Sequence, residues 1–304
     1  MSQFASKEFN GQNYDSFRPG YNPEFYRYLL EYHQKGQPTA TGARTILDVG
    51  AGPGTATFEM ERILHDDFDR VIGTDVSAVM VDTANAKLKL YNDAHSAEKK
   101  AKLEFAVSSC MDLSEHIQEK VDLVTAAEAA HYFLPFKEFL QEARKVLKPD
   151  GTLAIWGYMD PSFVEYPELD ELIQDLHYGD GYFGRYWDQP GVTIMSNLLD
   201  AQRIEESDGF YDIECRKFYV SDFREHEKSG FPLIMQRKMT ITQFKNLVMT
   251  WSAVSKRECV LHDTETIVTD CFEKMFALAP GLGWGTQVTV VWNSVYKFAR
   301  CKKD

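Results

Sequence analysis

Cysteine is scarce in this sequence. The five residues Cys110, Cys215, Cys259, Cys271 and Cys301 are scattered over 304 positions, with no Cys-x-x-Cys spacing. An odd, dispersed set argues against a disulfide framework and against a cysteine-based metal centre, and points to reduced thiols. Long apolar runs are also missing, because no stretch approaches the roughly 18 residues that a membrane helix needs. The opening Met1–Lys7 is polar and lacks the apolar core of a signal peptide. A soluble, cytoplasmic protein is therefore expected, with no membrane partner. Positive charge is in deficit, at 33 Lys and Arg against 46 Asp and Glu, a formal charge of −13. General nucleic-acid binding, which requires clustered basic surface, is disfavoured. A small anionic ligand would need its own local arginines or lysines. No internal repeat is apparent.

What the sequence does contain is organised around Ile46–Thr57. Apolar Ile46, Leu47 and Val49 read as the end of a buried parallel strand, and Gly50, Gly52 and Gly54 follow before a helical pattern begins. Glycine in such a turn accepts positive φ and lets backbone approach a ligand closely. The following helix directs free N–H groups at the same space. A dinucleotide fingerprint would require glycine at the position occupied by Thr55, which weakens a hydride-transfer reading. Val71–Thr74 reads as the next strand, and Asp75 stands at its end, 25 residues beyond Gly50. A carboxylate there is able to accept two ribose hydroxyls, although an aspartate at a strand end is often only a cap or turn residue.

Further along, strands are expected at Leu103–Val107, Val121–Ala126 and Thr152–Tyr158, alternating with helices whose apolar faces recur at helical spacing. Such alternation predicts a doubly wound α/β sheet. It stops after Tyr158, where nine aromatics fall between Trp156 and Trp187, punctuated by glycines. A dense aromatic stretch forms a small core, a pocket wall, or both. Phe210–Val220 resumes the sheet, Ser221–Gly285 forms a second insertion, and Gln287–Arg300 is a final strand. Glu128 and His131 have the Glu-x-x-His spacing of a metal ligand pair, but a carboxylate-bridged two-metal site uses two such motifs. One is present, and no metal is expected.

The order of Asp48, the glycine turn, Asp75, Val121–Val124 and Lys145–Trp156 resembles the class I S-adenosylmethionine-dependent methyltransferases. A narrower resemblance spans nearly the whole chain. Phe9-Asn10, Tyr14, Arg18-Pro19-x-Tyr21, Val49–Thr57, Ala154–Tyr158, Tyr186-Trp187-x-Gln189-Pro190-Gly191, Trp251-Ser252-Ala253 and Val291-Trp292-Asn293 are similar to the fungal trans-aconitate methyltransferases. The resemblance implies a seven-stranded Rossmann-like sheet with the last strand antiparallel, and a mainly helical, aromatic cap supplied by insertions. The corresponding divisions are 1–158 for an N-terminal lid and cofactor-binding core, 159–208 and 221–285 for the cap, and 209–220 and 286–304 for the remaining core strands.

It also implies methyl transfer from S-adenosylmethionine to a carboxylate of a small polycarboxylic acid, giving a monomethyl ester and S-adenosylhomocysteine. Asp48, Gly50, Gly52, Asp75, Ser109, Cys110 and Ala126 are the implied cofactor residues, with Ser109 standing where many relatives carry Asp. His131, Tyr14 and Trp251 are expected to shape the acceptor pocket. Arg18 and Arg237 are expected to hold the acid's carboxylates, with Lys238 and Arg185 behind them, since arginine suits bidentate carboxylate binding. The partner is thus a small acid, and the chain a monomer or weak dimer. Two alternatives stay open: an apolar or lipid-like acceptor, for which an unactivated hydroxyl would need His131 as base, and a non-catalytic cofactor-binding regulator.

Overall fold

The computed structural model describes residues 19–35, 43–94, 101–225 and 230–303. Helix α1 (Pro23–Gln34) begins where Asn22 accepts a hydrogen bond from the Glu24 amide at 3.0 Å, with Pro23 in the first turn. Its apolar stripe, Phe25, Tyr26, Leu29 and Tyr32, is buried. Then come β1 (Thr45–Val49), α2 (Thr55–Leu64), β2 (Arg70–Asp75), α3 (Ala78–Ala94), β3 (Lys102–Val107), the short α4 (Leu113–His116), β4 (Val121–Ala127), α5 (Phe136–Val146) and β5 (Leu147–Phe163). The cap side contributes α6 (Asp170–Tyr178) and α7 (Gly191–Ser196). The chain continues through β6 (Phe210–Phe218), α8 (Val220–Glu225), β7 (Met235–Thr240), α9 (Ile241–Val248), α10 (Ser252–Leu261), α11 (Thr264–Leu278) and β8 (Gln287–Cys301).

The strand order is β3-β2-β1-β4-β5-β8-β6. The first five strands are mutually parallel, and β8 lies antiparallel between β5 and β6. The expected doubly wound sheet with an antiparallel last strand is therefore present. Alternation along the strands separates two cores. Ile46, Leu123, Ala154 and Trp156 face α1 and α2, whereas Leu47, Val124, Leu153 and Ile155 face α5.

Two features differ from the sequence reading. β5 does not end at Tyr158 but continues to Phe163, and the second insertion contains a strand, β7, that the sequence reading leaves out. Both follow from the length of β8. Its first half pairs with the β5 extension on one side (Phe163 with Val290) and with β7 on the other (Arg237 with Val290). A half-exposed, charged segment such as Met235–Thr240, in which Met235 and Met239 are buried, becomes a strand because β8 supplies a hydrogen-bonding edge, a long-range effect that local pattern does not carry. β8 thereby ties the cap to the sheet. Among the described residues no helix is long and apolar enough to cross a membrane.

Candidate active site

The parallel strands β1, β2, β3 and β4 present their C-terminal ends to one crevice, the place where open α/β sheets bind ligands. There Gly50 and Gly52 turn the chain with φ of 71° and 55°. A side chain at Gly50 would collide with Ala129, its Cβ falling 2.5 Å from that methyl, whereas a Cβ on Gly52 would project into open space. Gly50 therefore serves close packing and Gly52 leaves room for a ligand. The Gly52 amide donates to Asp75 at 2.9 Å and the Ser77 amide does so at 2.8 Å, so the glycine turn and the β2 end form one wall. Burial raises the Asp75 carboxyl above its usual range, partly offset by these two bonds.

A cavity of about 640 Å³ runs from this wall to the cap. Gly50, Gly52, Asp75, Ser109 and Cys110 line its sheet end, and burial pushes the Cys110 thiol up to about 12, which disfavours the thiolate. His131, in the 3-10 turn Ala130–Tyr132 beyond β4, and Trp251, at the start of α10, line it further along. Seven of the twelve sequence-proposed site residues thus meet at one cavity. The empty volume over Gly52, the Asp75 carboxylate and the adjoining Ser109–Cys110 backbone suit the ribose, adenine and amino-acid portions of S-adenosylmethionine.

Three of these twelve stand elsewhere. Asp48 is wholly buried beneath the turn, accepting from Thr57 at 2.6 Å and Thr125 at 2.8 Å. It does not line the cavity and ties β1 to α2 and β4 instead, its carboxyl raised to about 6 by burial. Ala126 belongs to the α5-side core and is likewise off the cavity. Arg237 lies on β7 opposite Val290 and is not a lining residue, because strand pairing carries its backbone to the outer side of β8. Arg185, exposed, pairs with Asp180 at 3.7 Å. Tyr14 and Arg18 lie outside the described residues, although Pro19, next in sequence, lines the cavity. Among the described residues no group of side chains is arranged to hold a metal ion.

Sequence reasoning overlooked the β5 extension. Asp160 sits at a β-bulge with φ of 57° and lines the cavity, accepting from the Tyr178 hydroxyl. A non-glycine residue in left-handed conformation at a pocket wall is a common signature of function. Glu128, φ 53°, also lines the cavity and accepts from the Tyr158 amide. His177, the last buried residue of α6, completes the cap wall with Trp187. The available sequence signal was the aromatic density around these positions, which does not say which residues turn inward.

Comparison with known proteins agrees with this architecture. Residues 47–155 match the family described as a methyltransferase domain. The Saccharomyces cerevisiae protein CRG1, described as a probable S-adenosylmethionine-dependent methyltransferase, is 28% identical over 83% of this chain and 81% of its own length. Methyltransferase cfoB of Aspergillus candidus is 30% identical over 64% of this chain and 60% of its own length. A solved structure from Anaeromyxobacter dehalogenans assigned as a type II methyltransferase superposes with a TM-score of 0.66, covering 95% of this chain and 100% of that one, at 20% identity. That last likeness concerns the fold. Residues 47–155, with the strand order, glycine turn and Asp75 wall they build, form a class I S-adenosylmethionine-dependent methyltransferase domain.

Proposed function

We propose that the chain methylates a carboxylate of a small polycarboxylic acid, with trans-aconitate the first candidate. One observation carries this reading. The motifs that suggest it are far apart in sequence, yet Pro19, Gly52, Tyr158, Trp187, Trp251 and Trp292, from six of them, all line the same cavity. At about 640 Å³ the space falls within the usual range for small-ligand sites.

When bound, S-adenosylmethionine supplies an electrophilic methyl group on sulfur. The chain's task is then to hold and orient. Asp75 is placed to accept ribose hydroxyls, Gly52 to admit close backbone contact, and Ser109 and Cys110 to meet the adenine through backbone. A carboxylate acceptor is already ionised at neutral pH and needs no general base. His131 and Trp251 shape the acceptor end, and Trp187 and Trp292 exclude water from it, so alignment supplies most of the acceleration. Arg18 stays our candidate carboxylate clamp by its place beside Pro19.

A second reading is favoured by a specific observation. Among the described lining residues there is no Arg or Lys, whereas Asp75, Glu128, Asp160 and Asp188 are present. A neutral hydroxylated or apolar acceptor fits such a wall, with His131 as base. The deciding experiment measures S-adenosylhomocysteine release and product mass with trans-aconitate, cis-aconitate, citrate and isopropylmalate. A monomethyl ester from trans-aconitate, well above the others, supports the acid reading. Silence across the panel while the cofactor still binds would remove it. Arg18→Ala should raise the KM of the acid and leave S-adenosylhomocysteine affinity nearly unchanged.

A further inference from the structure

An acid acceptor poses an electrostatic problem in this cavity, whose described walls carry four carboxylates and no permanent cation. Two histidines line it, His131 and His177. His177 is 3% exposed, and neither ring nitrogen has a hydrogen-bond partner among the described residues. Leaving a buried imidazole unsatisfied is costly, and its position on a cavity wall accounts for it if a ligand supplies the partner.

The surroundings are those of a latent cation. The ring stacks on Tyr178 at 4.3 Å and 12° and on Trp251 at 4.5 Å and 21°, with Trp187 tilted against it at 4.7 Å. Aromatic faces stabilise a positive charge lying over them. Asp160 of β5 approaches Nδ1 to 3.8 Å. The other charged groups on elements around α6 are engaged elsewhere. Arg185 pairs with Asp180, Lys274 of α11 bonds the Tyr182 hydroxyl, and Arg257 of α10 is held by Asp263 and two carbonyls. Asp188 pairs with Lys256, and Asp160 also bonds Tyr178 and Asn293. Asp160, at 3.8 Å, makes no hydrogen bond to the ring, and burial holds the His177 imidazole down to about 3, so at neutral pH it is uncharged.

We propose that His177 is an acid-binding cation of this site beside the candidate clamp Arg18: an acceptor carboxylate docks against the buried, unsatisfied Nε2, the ring nitrogen away from Asp160, and the imidazole takes one proton from solvent as the acid binds. The bound arrangement places one imidazolium between two carboxylates, Asp160 and the acid's non-reacting group. No bond other than N–H forms, and the proton returns to solvent when the ester leaves. This rests on the acid reading above and adds the means by which an acidic cavity accepts an anion.

The test is calorimetric binding of trans-aconitate to the protein loaded with S-adenosylhomocysteine, at pH 7.5, in phosphate and in Tris, whose protonation enthalpies differ. Uptake of about one proton per acid bound is expected from linkage. His177→Gln should abolish that uptake and weaken acid binding about tenfold to a hundredfold, the range for a lost hydrogen bond to a charged group. It should leave S-adenosylhomocysteine affinity within about twofold, which also reports that the variant is folded. The wild-type KM for the acid should rise with pH, and that of His177→Gln should be flat. Methyl ester formation without proton uptake in the wild-type protein overturns the inference while leaving the acid reading standing. Uptake that persists in His177→Gln and disappears in His131→Gln also overturns it. Failure of any acid to bind or react removes both.

Discussion

At the scale of single residues, the cofactor end of the cavity depends on two groups with separable roles. Asp75 is held by the Gly52 and Ser77 amides, so its orientation is set before a ligand arrives. A carboxylate offers about four lone-pair positions, and two remain for hydroxyl donors. Asp75→Ala is therefore expected to weaken S-adenosylhomocysteine binding about tenfold to a hundredfold, as measured by calorimetry. An unchanged affinity would remove Asp75 from the site. Gly52→Ala separates shape from fold. Its methyl meets nothing within 4 Å, but φ of 55° disfavours a Cβ. A loss of about 1–2 kcal/mol in stability is expected, together with a larger fractional loss of cofactor affinity because the methyl projects into ligand space. Asp48 teaches the opposite lesson: a motif residue can tie the turn to its neighbours without lining the cavity.

At the scale of elements, the cap is assembled by a few long-range polar ties rather than by local propensity. Arg257 of α10 donates to the Gly181 and Tyr182 carbonyls at 2.8 and 2.7 Å and pairs with Asp263 at 2.8 Å. It pins the loop after α6 to the helix that begins at Trp251. Arg257→Ala is expected to raise the acceptor KM with little change in S-adenosylhomocysteine affinity, because it loosens the cap wall and spares the glycine turn. Equal losses in both would show that cap and cofactor wall are one cooperative unit. Arg224 plays a parallel part for α6, bonding Asp170 at its first turn and the Phe163 carbonyl. Both arginines lie in insertions that the sequence identifies only as polar or aromatic stretches.

At the scale of the whole molecule, buried ionisable groups make stability depend on pH. His33 of α1 is bonded to Thr152 at 2.9 Å and lowered to about 4 by burial. Its unfolded form binds a proton near pH 6.5, and the folded form does so only near pH 4. Its contribution is therefore complete above about 6.5 and is lost at about 1.4 kcal/mol per unit as pH falls between those values. His177, lowered to about 3, acts in the same direction. Asp48, raised to about 6, acts in the opposite one, since its folded form takes up a proton first. Urea unfolding of the wild type and His33→Gln at pH 7 and pH 5 isolates one group. The stability gap between them should shift in the variant's favour by about 2 kcal/mol on acidification, and a constant gap would show that His33 is not buried neutral.

The parallel half of the molecule was legible in the sequence because its signals are local. Apolar strand ends, glycines that need positive φ at Gly50 and Gly52, and helical spacing of Met60, Leu64, Phe139 and Leu140 each act within a few residues of chain. The cofactor wall from Gly50 to Asp75 follows from the same local order. The acceptor end did not follow, because its residues are brought together by pairings more than a hundred positions apart, as between Phe163 and Val290. Sequence alone determined that this chain builds a nucleotide-type crevice at the ends of a doubly wound sheet. Only the tertiary structure decided that Asp48 and Arg237 do not line it and that Asp160 and His177 do. The direction of a side chain at a bulge or a cap helix is set by what packs against it: β8 pairs along the β5 bulge at Asp160, and Trp187 and Trp251 flank His177.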